Sequence, residues 1–303
     1  MDQAVTLREL AKGGRKDFPS FSISENEKSI NSRKRVISVT SGKGGVGKTN
    51  IVTNLAFAIS QLGKRVLVLD ADLGLGNIDV LLGIVPKYNL LHVINGMKKI
   101  SEVILNGPGK IMILPASSGV LEITNLTDQQ KMHLLEEFES IEDDVDVLLI
   151  DTGAGISTNV MYFNVAAQEI VVVVSPEPTS ITDAYAMMKV LSLKYSENHF
   201  KLLVNSVSGD KEAMNVFRNI SLVAEKFLNI SIDYLGYIPR DENIVKAVKQ
   251  QKLFIELYPD GEASKSIKSL AKKINGDFNP VKTRGNIQFF LKQFLNGYGV
   301  ETI

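Results

Sequence analysis

Residues 42–49 read GKGGVGKT, set between the apolar run VISVT (36–40) and a segment of helical character that starts at Lys48. The string satisfies G-x-x-x-x-G-K-[ST], and a strand before it with a helix after it is the context that pattern needs. Gly44, Gly45 and Gly47 carry no Cβ, so backbone N–H groups can curl around an anion. The helix that follows points its positive end at the same spot. Lys48 is placed to neutralise β and γ oxygens, and the Thr49 hydroxyl to ligate Mg2+. The expected nucleotide-binding stretch is therefore Gly44, Gly45, Val46, Gly47, Lys48, Thr49 and Asn50, with ATP and Mg2+ as its ligands.

Outward from this loop, short apolar runs alternate with longer amphipathic segments. The runs are RVLVLD (65–70), IMILPA (111–116), VDVLLID (145–151), EIVVVVS (169–175), KLLVNSV (201–207) and YLGYIP (234–239). They lack strict alternation, as strands covered by helices on both faces do. Helical segments lie between most of them, at 48–62, 128–140, 179–196 and 212–228, and a last one lies near 261–275. This order predicts an α/β fold with a doubly wound, mainly parallel sheet flanked by helices.

Two further strings carry acids at strand ends, where open α/β sheets bind ligands. LVLDADLGLGN (67–77) supplies Asp70 and Asp72, and LLIDTGAGI (148–156) supplies Asp151. Phosphoryl transfer to water needs an oriented water and neutralised charge rather than a covalent nucleophile. Asp151, after an apolar strand, reads as the acid that holds Mg2+ through water. Gly153 and Gly155 would let the following loop approach the γ-phosphate and move. Taken alone, Asp70 and Asp72 would read as ordinary strand-end turn acids.

Composition narrows the class. The chain has 303 residues, 44% hydrophobic and 22% charged, with net charge zero. That fits a soluble globular protein with no overall bias toward nucleic acid or anionic lipid. It contains no cysteine, which excludes disulfides, thiol nucleophiles and Cys-ligated clusters. No secretory signal is read at the N-terminus, and no apolar run approaches the ~20 residues of a membrane span. His92, His133 and His199 are scattered without ligand spacing.

KGGVGKT resembles the deviant Walker A loop of the MinD/ParA family of P-loop ATPases, and the resemblance covers roughly residues 34–275. It implies that Lys43 reaches the phosphates bound by a partner subunit in an ATP-dependent homodimer. It also implies a catalytic set of Lys43, Lys48 and Asp72, with Asp72 positioning the attacking water. Thr49, Asp70 and Asp151 would surround Mg2+, and Asn205, Pro239 and Arg240 would line the adenine. One departure is Gly153, where the MinD branch more often carries proline.

Both chain ends bear on the branch. The opening DQAVTLREL is similar to the DQAxxLR segment of the MinD-like flagellar-number regulators, the FlhG, FleN or YlxH branch. That similarity implies that Gln3 is presented to an FlhF-type signal-recognition GTPase, and that flagellar switch-complex proteins are further partners. The tail, read as a helix, gathers Ile287, Phe290, Leu291, Phe294 and Leu295 on one face, which suits membrane lipid at an interface. The expected organisation is an activator helix (1–12), a flexible linker (13–35), the ATPase domain (36–278) and a membrane-targeting amphipathic helix (279–303). The expected function is an ATP-hydrolysing dimerisation switch, cytoplasmic and reversibly on the inner face of the membrane, regulating flagellar number and placement. The alternative is a DNA-segregation ATPase of the ParA type. Neutral charge argues against nucleic acid as a partner, and the basic run Arg33-Lys34-Arg35 argues for it.

Overall fold

The computed structural model describes residues 34–72, 76–115 and 126–276. The expectations placed on Gln3, on segments 1–12 and 279–303, and on Ile287, Phe290, Leu291, Phe294 and Leu295 lie outside the described residues.

Eight strands form one sheet among the described residues: β1 (Arg35–Ser41), β2 (Val66–Ala71), β3 (Leu105–Asn106), β4 (Met112–Leu114), β5 (Val147–Ala154), β6 (Glu169–Val174), β7 (His199–Val207) and β8 (Ser231–Pro239). Their order is β3-β4-β2-β5-β1-β6-β7-β8. Every pairing is parallel except the short antiparallel contact of β3 with β4. Parallel neighbours need crossover connections, and helices supply them on both faces.

Side chains leave a strand alternately to its two faces, which explains the unbroken apolar runs. Ile37, Val39, Val66 and Val68 face helix α1 (Lys48–Ser60), which adds Ile51, Val52, Leu55 and Ile59. The helix near the C-terminal end of the core, Glu262–Gly276, adds Ile267, Leu270 and Ile274 to the same cluster. On the opposite face, Leu67, Leu69, Leu148 and Ile150 meet Leu134 and Phe138 of a helix over Asp128–Ser140 and Phe163 of one over Thr158–Ala166. Beside them, Val172, Val174, Leu202 and Val204 meet Met187 and Leu191 of the helix Pro178–Tyr195 and Val216 and Ile220 of the helix Asp210–Leu228. Fully burying one such side chain is worth about 1.5–3 kcal/mol, so these layers dominate the stability of the sheet.

In chain order the helices after α1 are α2 (Ile78–Leu82), α3 (Leu90–Ile94), α4 (Ile100–Val103), α5 (Asp128–Ser140), α6 (Thr158–Ala166), α7 (Pro178–Tyr195), α8 (Asp210–Leu228), α9 (Glu242–Lys249), α10 (Phe254–Leu257) and α11 (Glu262–Gly276). Among the described residues, none is long and apolar enough to cross a membrane.

One boundary differs from expectation. β1 begins at Arg35, on the residue where the linker was expected to end. Arg35 is 8% exposed and pairs with Glu169, while its Nη1 donates to the Ile274 carbonyl of α11. Glu169 also binds Lys201 at 2.9 Å. A guanidinium buried this deeply needs such a partner, and the pairing draws Arg35 out of the linker and into the sheet. Lys34 is engaged too, by Asp143 at 3.1 Å and Glu142 at 3.6 Å. Two of the three charges in the basic run are therefore neutralised within the protein.

Candidate functional site

The loop from Gly42 to Gly47 carries the chain from β1 into α1. Its first glycine is fixed by crowding. A Cβ at Gly42 would lie 2.2 Å from the backbone carbon of Asp183, because α7 crosses directly over the loop. At Gly45 and Gly47 the requirement is instead the backbone angle, with φ of 79° and 89°. Gly47 precedes α1 and offers no side-chain cap, so the first N–H groups of that helix are left to an outside acceptor.

Lys48 is 8% exposed and bends onto the acid expected from the third motif. Its Nζ donates to Asp151 Oδ1 at 2.7 Å and to the Thr152 carbonyl. Thr49 also hydrogen-bonds Asp151. Burial pushes the Asp151 carboxyl up from the ordinary range, and Lys48 and Thr49 pull it back. Asp70 stands beside Asp151 in the β2–β5 register. It accepts the N–H groups of Asp72 at 3.2 Å and Ile78 at 3.3 Å. Burial, and then the charge of Asp151, push Asp70 up to about 7. Gly76 leaves it room, since a Cβ there would lie 3.0 Å from Asp70 Oδ2. Asp72 is half-buried at the end of β2, and a Cβ on Gly153 would lie 3.4 Å from its Oδ1.

The three motifs thus converge on one place, where Asp70 stands beside Asp151, Asp72 lies near Gly153, and Lys48 pairs with Asp151. The donor set of carboxylates and a threonine hydroxyl is all oxygen, and the buried charge is in surplus, which suits a hard dication. Among the described residues no group of three or more His, Cys, Asp or Glu forms a ready cage. Mg2+ seldom uses one, taking one or two carboxylates together with substrate phosphate and water. The residues present therefore fit Mg2+.

Lys43 does not fold back into its own loop. Its Nζ is held on the first turn of α7 by Glu177 and by the Thr179 hydroxyl at 2.9 Å, and its side chain remains 35% exposed.

Asn205, at the end of β7, donates from Nδ2 to the Val46 carbonyl at 2.7 Å. A Cβ at Gly47 would meet the same Nδ2 at 2.6 Å. Asn205 thus braces the phosphate loop, a contact that adds to the adenine role expected of it. Pro239 closes β8, and the Arg240 N–H is tied to the Val207 carbonyl at 2.8 Å. Asp241 caps α9 through the Asn243 N–H at 2.9 Å. Sequence reasoning missed Asn54. This fully buried residue of α1 accepts the Ile255 N–H at 3.0 Å and fastens α10 to the helix behind the loop. A polar residue on the apolar side of α1 was the available signal.

Comparison with known proteins points the same way. A family model described as an AAA domain matches residues 34–203. The antiactivator FleN of Pseudomonas aeruginosa is 44% identical over 261 residues, covering 86% of this chain and 93% of FleN. The flagellum site-determining protein YlxH of Helicobacter pylori is 33% identical over 238 residues, 78% of this chain and 80% of YlxH. Among solved structures, a chain of the MinC:MinD cell division protein complex from Aquifex aeolicus matches with a TM-score of 0.66 at 28% identity, covering 82% of this chain and 98% of that one.

Proposed function

The chain belongs to the MinD/ParA family of P-loop ATPases, in the FleN and YlxH branch, and we propose that its hydrolysis of ATP drives a dimerisation switch that sets flagellar number and placement. The observation that carries the switch is the position of Lys43. That its side chain lies on α7, rather than over its own phosphate loop, and stays 35% exposed supports a role in the site of a second copy.

In this reading ATP phosphates meet the N–H groups of Gly44 to Asn50, and Lys48 leaves Asp151 and the Thr152 carbonyl for the β and γ oxygens. Asp151, freed of its lysine, and Thr49 and Asp70 beside it would hold Mg2+, which supplies charge neutralisation to the phosphates when bound. Asp72 orients the water whose oxygen attacks the γ-phosphorus as the bond to the β–γ bridging oxygen breaks and ADP leaves. Lys43 of the second copy adds positive charge where the transferring group develops negative charge. Asn205, Pro239 and Arg240 border the base.

Further partners are an FlhF-type GTPase, engaged through Gln3, and flagellar switch-complex proteins. The tail residues Ile287, Phe290, Leu291, Phe294 and Leu295 would rest on membrane lipid at the inner face of the cell membrane. One short interfacial helix binds weakly, and a dimer carries two, so avidity ties membrane residence to bound ATP. The DNA-segregation alternative loses its main support, because Lys34 and Arg35 are already paired with internal acids.

The decisive variant is Lys43→Ala, sized with a non-hydrolysable ATP analogue. ATP binding should persist and dimers should vanish; normal dimers would refute the role of the lysine in trans. Co-sedimentation with liposomes or with DNA in the presence of ATP separates the two cellular readings. Deleting residues 2–12 should leave ATP hydrolysis intact and abolish stimulation of the GTPase. Stimulation that survives the deletion rules out the Gln3 assignment.

A further inference from the structure

Three polar side chains meet near the end of β5, each fully buried: Thr40 on β1, Thr152 on β5 and Asn164 on α6. None of their polar atoms bonds a charged side chain. Thr152 Oγ1 lies 2.9 Å from Thr40 Oγ1, 2.9 Å from the Gly153 carbonyl and 3.3 Å from the Val39 carbonyl. Asn164 Nδ2 donates to Thr40 Oγ1 at 3.2 Å and to the Val160 carbonyl at 2.9 Å. Thr40 Oγ1 also lies 3.6 Å from Met187 Sδ on α7.

The protons do not cover the acceptors. Thr152 has one hydroxyl proton for three oxygens, and Thr40 has one for Thr152 Oγ1 or Met187 Sδ. Asn164 Oδ1, buried as well, has no partner at all. A buried acceptor left unpaired is costly, and native proteins keep one where it serves another purpose. The group is also connected to the site. The Thr152 carbonyl is the acceptor that Lys48 gives up when phosphate arrives, and Gly153 packs against Asp72. Whichever oxygen takes the Thr152 proton sets the hold on the Gly153 carbonyl.

We propose that Asn164 is a positioning residue for ATP hydrolysis, acting through the Thr40–Thr152 hydroxyl pair to hold the Thr152 and Gly153 carbonyls at the end of β5 beside Lys48 and Asp72. The inference rests on the water-orienting role assigned to Asp72 above. Asn164 anchors Thr40 to α6, Thr40 anchors Thr152, and Thr152 restrains Gly153. Loosening the first link displaces the last one, and small misplacements of reacting groups are expensive in rate.

The test is steady-state ATP hydrolysis and thermal melting of the full chain carrying Asn164→Leu, Thr40→Val, both together, or Thr40→Ser. Asn164→Leu and Thr40→Val should each lower kcat about tenfold while KM for ATP stays within about twofold. The double variant should lose no more than either single one, since the residues act in series. Thr40→Ser, which keeps the hydroxyl, should keep the rate. The melting temperature of Asn164→Leu should shift little, because the substitution removes the unpaired acceptor Oδ1 together with the two bonds that Nδ2 donates. A normal kcat in Asn164→Leu, additive losses in the double variant, or a loss that follows the melting temperature would each overturn the inference. If Asn164→Leu does not fold, Thr40→Val against Thr40→Ser decides alone. Asp72→Ala, run alongside, separates the two ideas: wild-type hydrolysis there removes the role of Asp72, whereas wild-type hydrolysis in Asn164→Leu removes the role of Asn164.

Discussion

Replacing Glu177 by glutamine should make ATP-bound dimers form at lower protein concentration. Glu177 and Thr179 hold the Lys43 ammonium on α7, and in the dimer proposed above each copy must let go before the lysine can cross. The pair is partly open to water, with side chains 35% and 62% exposed, and ion pairs in that setting contribute about 0.2–1 kcal/mol. A dimer meets this cost twice, or ~0.4–2 kcal/mol, which corresponds to a dissociation constant ~2- to 30-fold lower in Glu177→Gln. Glu177 makes no side-chain capping bond to α7, so the exchange costs the helix no such bond. Sedimentation velocity over a concentration series with a non-hydrolysable ATP analogue measures the constant. The gain should shrink at high ionic strength, where the wild-type pair is already screened. A dissociation constant that stays the same or rises at low salt would refute the idea that Glu177 holds Lys43 back.

Two other substitutions probe the site. Gly42→Ala should cost several kcal/mol of stability, or abolish ATP binding, because its Cβ would sit 2.2 Å from the α7 backbone; a melt and a binding titration within error of wild type would contradict that packing. Asp70→Asn should change how stability depends on pH. The carboxyl is raised to about 7 in the folded chain, so between its ordinary value and pH 7 the folded state holds a proton that the unfolded state releases. Stability is therefore favoured at the acidic end and falls as pH rises through the window. Asparagine removes that slope, so the nucleotide-free variant should gain on wild type from pH 5 to pH 8, toward a ceiling of ~4 kcal/mol. Parallel stability curves across that range would show that Asp70 does not titrate there.

The parts legible in the sequence were those dictated by backbone chemistry at short range. The glycines of 42–49 and the acids of 67–77 and 148–156 stand at strand ends because anion binding and metal chemistry require them there, and the intervals between them are local. Helices of thirteen or more residues showed through their apolar face, whereas α2, α3, α4 and α10 have four or five residues and too few turns for a period to register. β3 has two residues and was not legible at all. Long-range polar contacts were silent for a different reason. Nothing near Lys43 announces Glu177, nothing near Val46 announces Asn205, and Arg35 looks like linker until Glu169 and Ile274 are brought to it. Asn164, inside the run NVMYFNVA, passes for one polar residue in an apolar helix.

The bond from Arg35 to the Ile274 carbonyl joins positions 239 apart in sequence. It fastens the first strand of the core to its last helix, at the end of β1 away from the phosphate loop. The seven residues of β1 put roughly 20 Å between that fastening and the nucleotide site. The two ends of the described core, at Lys34 and Gly276, are therefore tied to a single post. Arg35→Ala would cut this fastening at a distance from the ATP site, while β1 keeps β5 and β6 beside it and α11 keeps its apolar packing.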